Sequence, residues 1–207
     1  EVQSINIKKL FYRYKCRIAA IDANGLGAGL IDFMTKAQLD PETGEELPPF
    51  GVEGGTADDA VEPYKKIKGP GVEDNAIFLI KANAPINTEA HAYVQTQLAS
   101  GKIKFLIDEG QAKVKLMSTK MGQQMDNDKR ADYLKPFTLT TILREQMLNL
   151  VEENEGVNII LKQSNKGIKK DKFSAFEYGL YYVKQEEDRK KKRRSRNIGD
   201  MMFFSTK

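Results

Sequence analysis

The chain has 207 residues, 40% of them hydrophobic and 30% charged, with 33 Lys and Arg against 29 Asp and Glu for a formal net charge of +4. That length supports one domain with a real core, and a single cysteine, Cys16, with a single histidine, His91, excludes an internal disulfide and a Cys/His zinc centre. No apolar run reaches the length of a membrane span and no signal-peptide pattern opens the chain, so neither membrane insertion nor export is expected, a reducing compartment fits the thiol usage, and the opening Glu1 in place of Met points to a fragment.

The first informative stretch is RIAAIDANGLGAGLIDF, residues 17–33. Its apolar run predicts a short buried strand ending on Asp22, at the carboxyl end of a sheet, where crevices form in open α/β folds. Gly25, Gly27 and Gly29 predict a tight reversal and close helix packing, and Asn24 tolerates a left-handed conformation. A dinucleotide-binding turn fits poorly, because the spacing is G-x-G-x-G and the acid precedes the turn instead of following it by about 20 residues. Asp22 is therefore either a helix cap or turn acceptor, or a chemical group in need of a partner.

Residues 40–76 carry ten acids and only Lys65, Lys66 and Lys68 as bases, with frequent Pro and Gly, and read as a surface loop insertion. A strand follows at 76–80, then an amphipathic helix from Asn87 to about Ser100 that carries His91 as a surface or half-buried residue. Residues 102–107 are a third strand candidate, and Asp108-Glu109 a helix start whose acids complement the helix dipole, with metal ligation in reserve. A long helix is expected from Pro136, with Leu139, Ile142, Leu143, Met147, Leu150 and Val151 as its core stripe. Gly156 breaks it, and 157–161 supply a fourth strand.

The last element is a helix opening at Asp171 in KKDKFSAFEYGLYY, residues 169–182, with Phe173, Phe176 and Leu180 as its buried stripe. Asp171 suits a capping role, since a helix N-terminus stabilises a carboxylate. It also suits metal ligation: a strand-end acid and a helix-start acid can share a pair of divalent cations, and hard oxygen donors select Mg²⁺ or Mn²⁺. Lys169, Lys170 and Lys172 would then face nucleic acid. Residues 189–207 hold eight Lys/Arg against one acid, leaving the rest of the chain at 25 against 28, so 187–207 reads as a basic tail, either a solvated face or a phosphate contact. Its Met201-Met202-Phe203-Phe204 is an apolar patch.

Three ordered blocks, DANGLGAGLIDF, NTEAHAYVQTQLASGKIKFLIDEGQAK and DKFSAFEYGLYY, resemble the nuclease domain of the large terminase subunit of tailed bacteriophages, over roughly residues 5–182. The resemblance implies an α/β fold of the ribonuclease H-like kind, with a mixed central sheet flanked by helices, over residues 1–186. It implies a metal-dependent endonuclease that cuts concatemeric viral double-stranded DNA during packaging in the cytoplasm of an infected bacterium. Asp22 and Asp171 match two of the family's acidic ligands, for Mg²⁺ or Mn²⁺, two ions in the active state. The family's first catalytic aspartate lies on an earlier strand with no counterpart here, and the phosphate-binding G-x-x-x-x-G-K-[ST] loop of its ATPase half is also absent from this sequence. The implied partners are the terminase small subunit and the portal or procapsid, with no membrane and a monomeric isolated domain. Two other readings stay open: a non-catalytic DNA-binding or motor-docking module, and another ribonuclease H-like nuclease such as a resolvase.

Overall fold

A computed structural model describes residues 1–24 and 27–203, and the side chains of these except 27, 28 and 194–203. The chain forms two compact units, one of Glu1–Ala90 with Glu177–Lys207 and one of His91–Phe176. The elements of the first are α1 (Val2–Arg13), β1 (Ala19–Asp22), α2 (Gly27–Met34), β2 (Gln38–Leu39), β3 (Glu46–Leu47), β4 (Phe50–Gly55), α3 (Asp58–Val61) and β5 (Glu73–Ile80). It also takes the start of α4 (Ala84–Ala99) and most of α8 (Asp171–Phe203).

The central sheet of this unit has the order β1-β5-β4, and its three described strands all run parallel where a mixed sheet is expected. The run Ala76-Ile77-Phe78-Leu79-Ile80 is buried throughout because β5 is the middle strand and both its faces are covered. Successive side chains go to opposite faces. Ile77 and Leu79 join Phe11, Ile21, Ile31, Met34, Phe50 and Val52 in one core, while Phe78 and Ile80 join Ala90, Tyr181 and Tyr182 in another. The apolar face of α8 thus closes the sheet on the side opposite α1 and α2.

The expected loop insertion at 40–76 is corrected. It contains the hairpin β2–β3 and the sheet strand β4, whose Phe50 and Val52 are buried. The FGVEGG strand hides in the sequence because glycine replaces the β-branched residues that mark a strand. Gly55 is there for close approach: a Cβ would stand 2.6 Å from the Leu79 carbonyl oxygen. The Asp40 carboxylate makes the hairpin turn a built one, accepting from Glu42 N (3.0 Å) and Thr43 Oγ1 (3.0 Å) beside the Lys9 ammonium (3.0 Å). Gly29, expected to allow close helix packing, has nothing within 4 Å of where its Cβ would sit.

Lys8 of α1 is fully buried. Its ammonium donates to the carbonyls of Lys36 (2.7 Å) and Pro48 (2.8 Å) and lies 5.2 Å from the centre of the Phe50 ring. One side chain thus ties α1 to the segment after α2 and to the turn before β4, and burial lowers its pKa to about 8.

The second unit carries α5 (Glu109–Met117), α6 (Lys120–Gln124), α7 (Asn127–Leu148) and the antiparallel hairpin of β6 (Leu150–Glu155) and β7 (Asn158–Gln163), around a small core of Ala112, Leu116 and Leu134. Asp108 caps α5 as expected, accepting from Gln111 N at 2.9 Å. Residues 102–107 form no strand. The long helix begins at Asn127, capped by Asp126, and runs through Pro136. Its expected core stripe is not buried: Leu139 is 44% exposed, Leu150 and Val151 belong to β6, and Leu134 and Gln146 are the buried residues of α7. Strand β7 pairs with β6 and not with the central sheet. His91 is buried, not superficial, with its Nε2 2.8 Å from Glu152 Oε1 and its ring edge-on to Phe173.

Helix α8 runs from Asp171 to Phe203 and so passes through 187 without a break. Arg189, at the head of the basic run, bonds Glu186 (2.7 Å) and Glu53 (3.3 Å) and stacks over Phe78, so this part of the expected tail is docked. The apolar patch at 201–204 lies outside the described side chains.

The start of α8 is held by a distant side chain. Gln146 Oε1 accepts from Lys172 N (2.9 Å) and Phe173 N (3.0 Å), two of the amides a helix start leaves unpaired. Gln146→Ala should therefore cost about 1–2 kcal/mol in urea unfolding. Gln146→Glu, which keeps the acceptor, should recover most of that loss.

Candidate functional site

Asp22 closes β1 opposite Ile80 and is exposed at the carboxyl end of the sheet, as its place in the sequence implies. Its Oδ1 accepts from Asn24 N at 2.9 Å, and Asn24 Nδ2 donates to Ala82 O at 3.2 Å, so the turn role is real and also fixes the carboxylate. Oδ2 takes no hydrogen bond from the described residues. Tyr178 of α8 stands in the field of Asp22 and of the buried Glu177, and donates to Asn87 Oδ1 at 3.3 Å. Burial first, then these two carboxylates, push the Tyr178 phenol up to about 12. Tyr178 and Glu177 were not singled out by sequence reasoning, since an apolar-stripe reading of α8 passes over both.

Asp171 lies in the second unit, exposed in the first turn of α8. The capping role open to it in the sequence belongs to Gln146, which leaves its carboxylate to solvent and the helix dipole. Lys169 and Lys170 are exposed in the preceding segment, and Lys172 is half-buried. That segment is pinned by Asn149: its Oδ1 accepts from Asn165 N (2.8 Å), and its Nδ2 donates to Asn165 O (2.9 Å) and Ile168 O (3.4 Å). Gln146 and Asn149 are two further residues that the sequence pattern does not single out. Their burial depends on contacts with residues 165–173, which the local sequence does not carry.

As a donor, Asp22 fits a divalent cation: its oxygens are hard, exposed and held by the turn. Among the described residues no group of three or more His, Cys, Asp or Glu is gathered as a metal site. A cavity of about 350 Å³ opens elsewhere, at the amino end of the sheet, among Cys16, Arg17, Glu53, Glu73, Asp74 and Tyr182. No described helix is long and apolar enough to cross a membrane.

Compared with known proteins, the chain matches no protein-family model, no curated protein and no solved structure at a significant level.

Proposed function

We propose that the chain is a metal-dependent DNA endonuclease of the terminase large-subunit kind, with a ribonuclease H-like nuclease fold, acting with a small subunit and portal in the cytoplasm of an infected bacterium. The observation that carries the reading is Asp22, an exposed carboxylate fixed by its turn at the carboxyl end of a parallel-sheet strand.

In this reading Asp22 and Asp171 hold Mg²⁺ or Mn²⁺. A cation held there would offset charge that develops on a phosphodiester and assist ionisation of water. Lys169, Lys170 and Lys172 bind the DNA backbone without reading bases.

Nicking of supercoiled plasmid tests the assignment. Asp171→Asn should lower metal-dependent nicking by about two orders of magnitude while duplex binding in EDTA stays unchanged or tightens slightly, since one negative charge is lost. An Asp171→Asn rate equal to wild type would remove Asp171 from the site.

A further inference from the structure

Hydrogen bonds continue past the ends of the parallel strands. Ala23 N donates to Ile80 O (2.8 Å), Thr56 N to Leu79 O (2.9 Å), and Lys81 N to Thr56 Oγ1 (2.8 Å). They fix Asp22, Thr56 and Lys81 along one edge of the first unit, with Lys81 directly after the residue that registers with Asp22. Strand alternation sends Asp22 to the α8 side of the sheet and Lys81 to the α3 side.

The Lys81 ammonium rests against the carboxylate of Asp59 in α3, with the two side chains 47% and 66% exposed. Lys81 holds the Asp59 carboxyl below the usual carboxylate range, so Asp59 is an anion at neutral pH. An exposed pair of this kind contributes little to stability and is screened by salt. Its ammonium can therefore exchange one anion for another at little cost. A DNA strand brought to this edge meets the carboxylates of Asp22 and Asp59, and a cation on the same edge offsets their repulsion of phosphate.

We propose that Lys81 binds a DNA backbone phosphate flanking the one presented to Asp22, leaving Asp59 to do so, and that Asp59 weakens DNA binding by competing for this ammonium. The inference rests on the nuclease reading above, and gives DNA a contact on the α3 side of the sheet.

The test is fluorescence anisotropy of the full chain with a short labelled DNA duplex, in EDTA so that no strand is cut, across a salt series. Lys81→Gln should weaken binding about tenfold at low salt and reduce the slope of log Kd against log salt by about one. Lys81→Arg should restore the wild-type slope. Asp59→Asn should tighten binding about two- to fivefold, an effect of opposite sign to that expected if the pair only held the fold together. An unchanged slope in Lys81→Gln, or weaker binding in Asp59→Asn, overturns the proposal while wild-type binding and cleavage leave the nuclease reading standing. A folded wild-type chain that binds no duplex overturns both.

Discussion

Asp22→Asn should lower metal-dependent plasmid nicking by two to three orders of magnitude and leave the fold intact. The magnitude follows from losing several kcal/mol of charge stabilisation at the reacting phosphate, at about 1.4 kcal/mol for each factor of ten. The intact fold follows from the turn: the bond Asp22 makes to Asn24 N uses Oδ1, and an asparagine in the same rotamer presents an equivalent acceptor. The variant therefore separates the two roles that one side chain carries. Thermal unfolding within about 0.5 kcal/mol of wild type, together with lost nicking, is the expected pair of results. A normal nicking rate would assign Asp22 to the turn alone.

Lys8→Met should destabilise the chain by about 2–3 kcal/mol, because the methionine fills the volume but leaves the Lys36 and Pro48 carbonyls without their donor. The loss should depend on pH with a definite sign. Lys8 titrates near 8 when folded and at its ordinary 10.5 when unfolded. Between these values the unfolded chain binds more protons, so wild-type stability rises with pH through this window relative to the variant. Below about 8 both states carry the proton and the gap is constant. Urea unfolding of both proteins at pH 7 and at pH 9.5 reads the effect directly. A gap that narrowed as pH rose would show that the buried ammonium is stabilised by its surroundings and not strained by desolvation.

The elements that could be read in the sequence are those whose pattern has one physical cause. Ala76 to Ile80 reads as a strand because a middle strand buries both faces, and Asp108 reads as a cap because its side chain reaches an amide three residues on. Asp22 was legible for a similar reason, as the first polar residue after an apolar run.

What stayed hidden depends on contacts between residues far apart in the chain. Strand β4 is stabilised by pairing with β5 and not by its own Gly-rich sequence, so local propensity places it in a loop. The α7 pattern misled in the opposite direction: its spacing is helical, but Leu150 and Val151 leave the helix for a hairpin, and Gln146 takes a buried position to cap α8. Lys8 and His91 are polar residues whose burial is set by partners 28 to 61 residues away, which no local window contains.

The most direct test of the central claim is nicking of supercoiled plasmid by the purified chain in Mn²⁺, in Mg²⁺ and in EDTA, followed by the chain extended with a strand designed to pair along the open edge of β1 and carry an aspartate at its carboxyl end. Nicking in either metal that stops in EDTA, in the chain itself or on extension, is the predicted result. No metal-dependent nicking by either folded protein would contradict the assignment and leave a DNA-binding or docking module in its place.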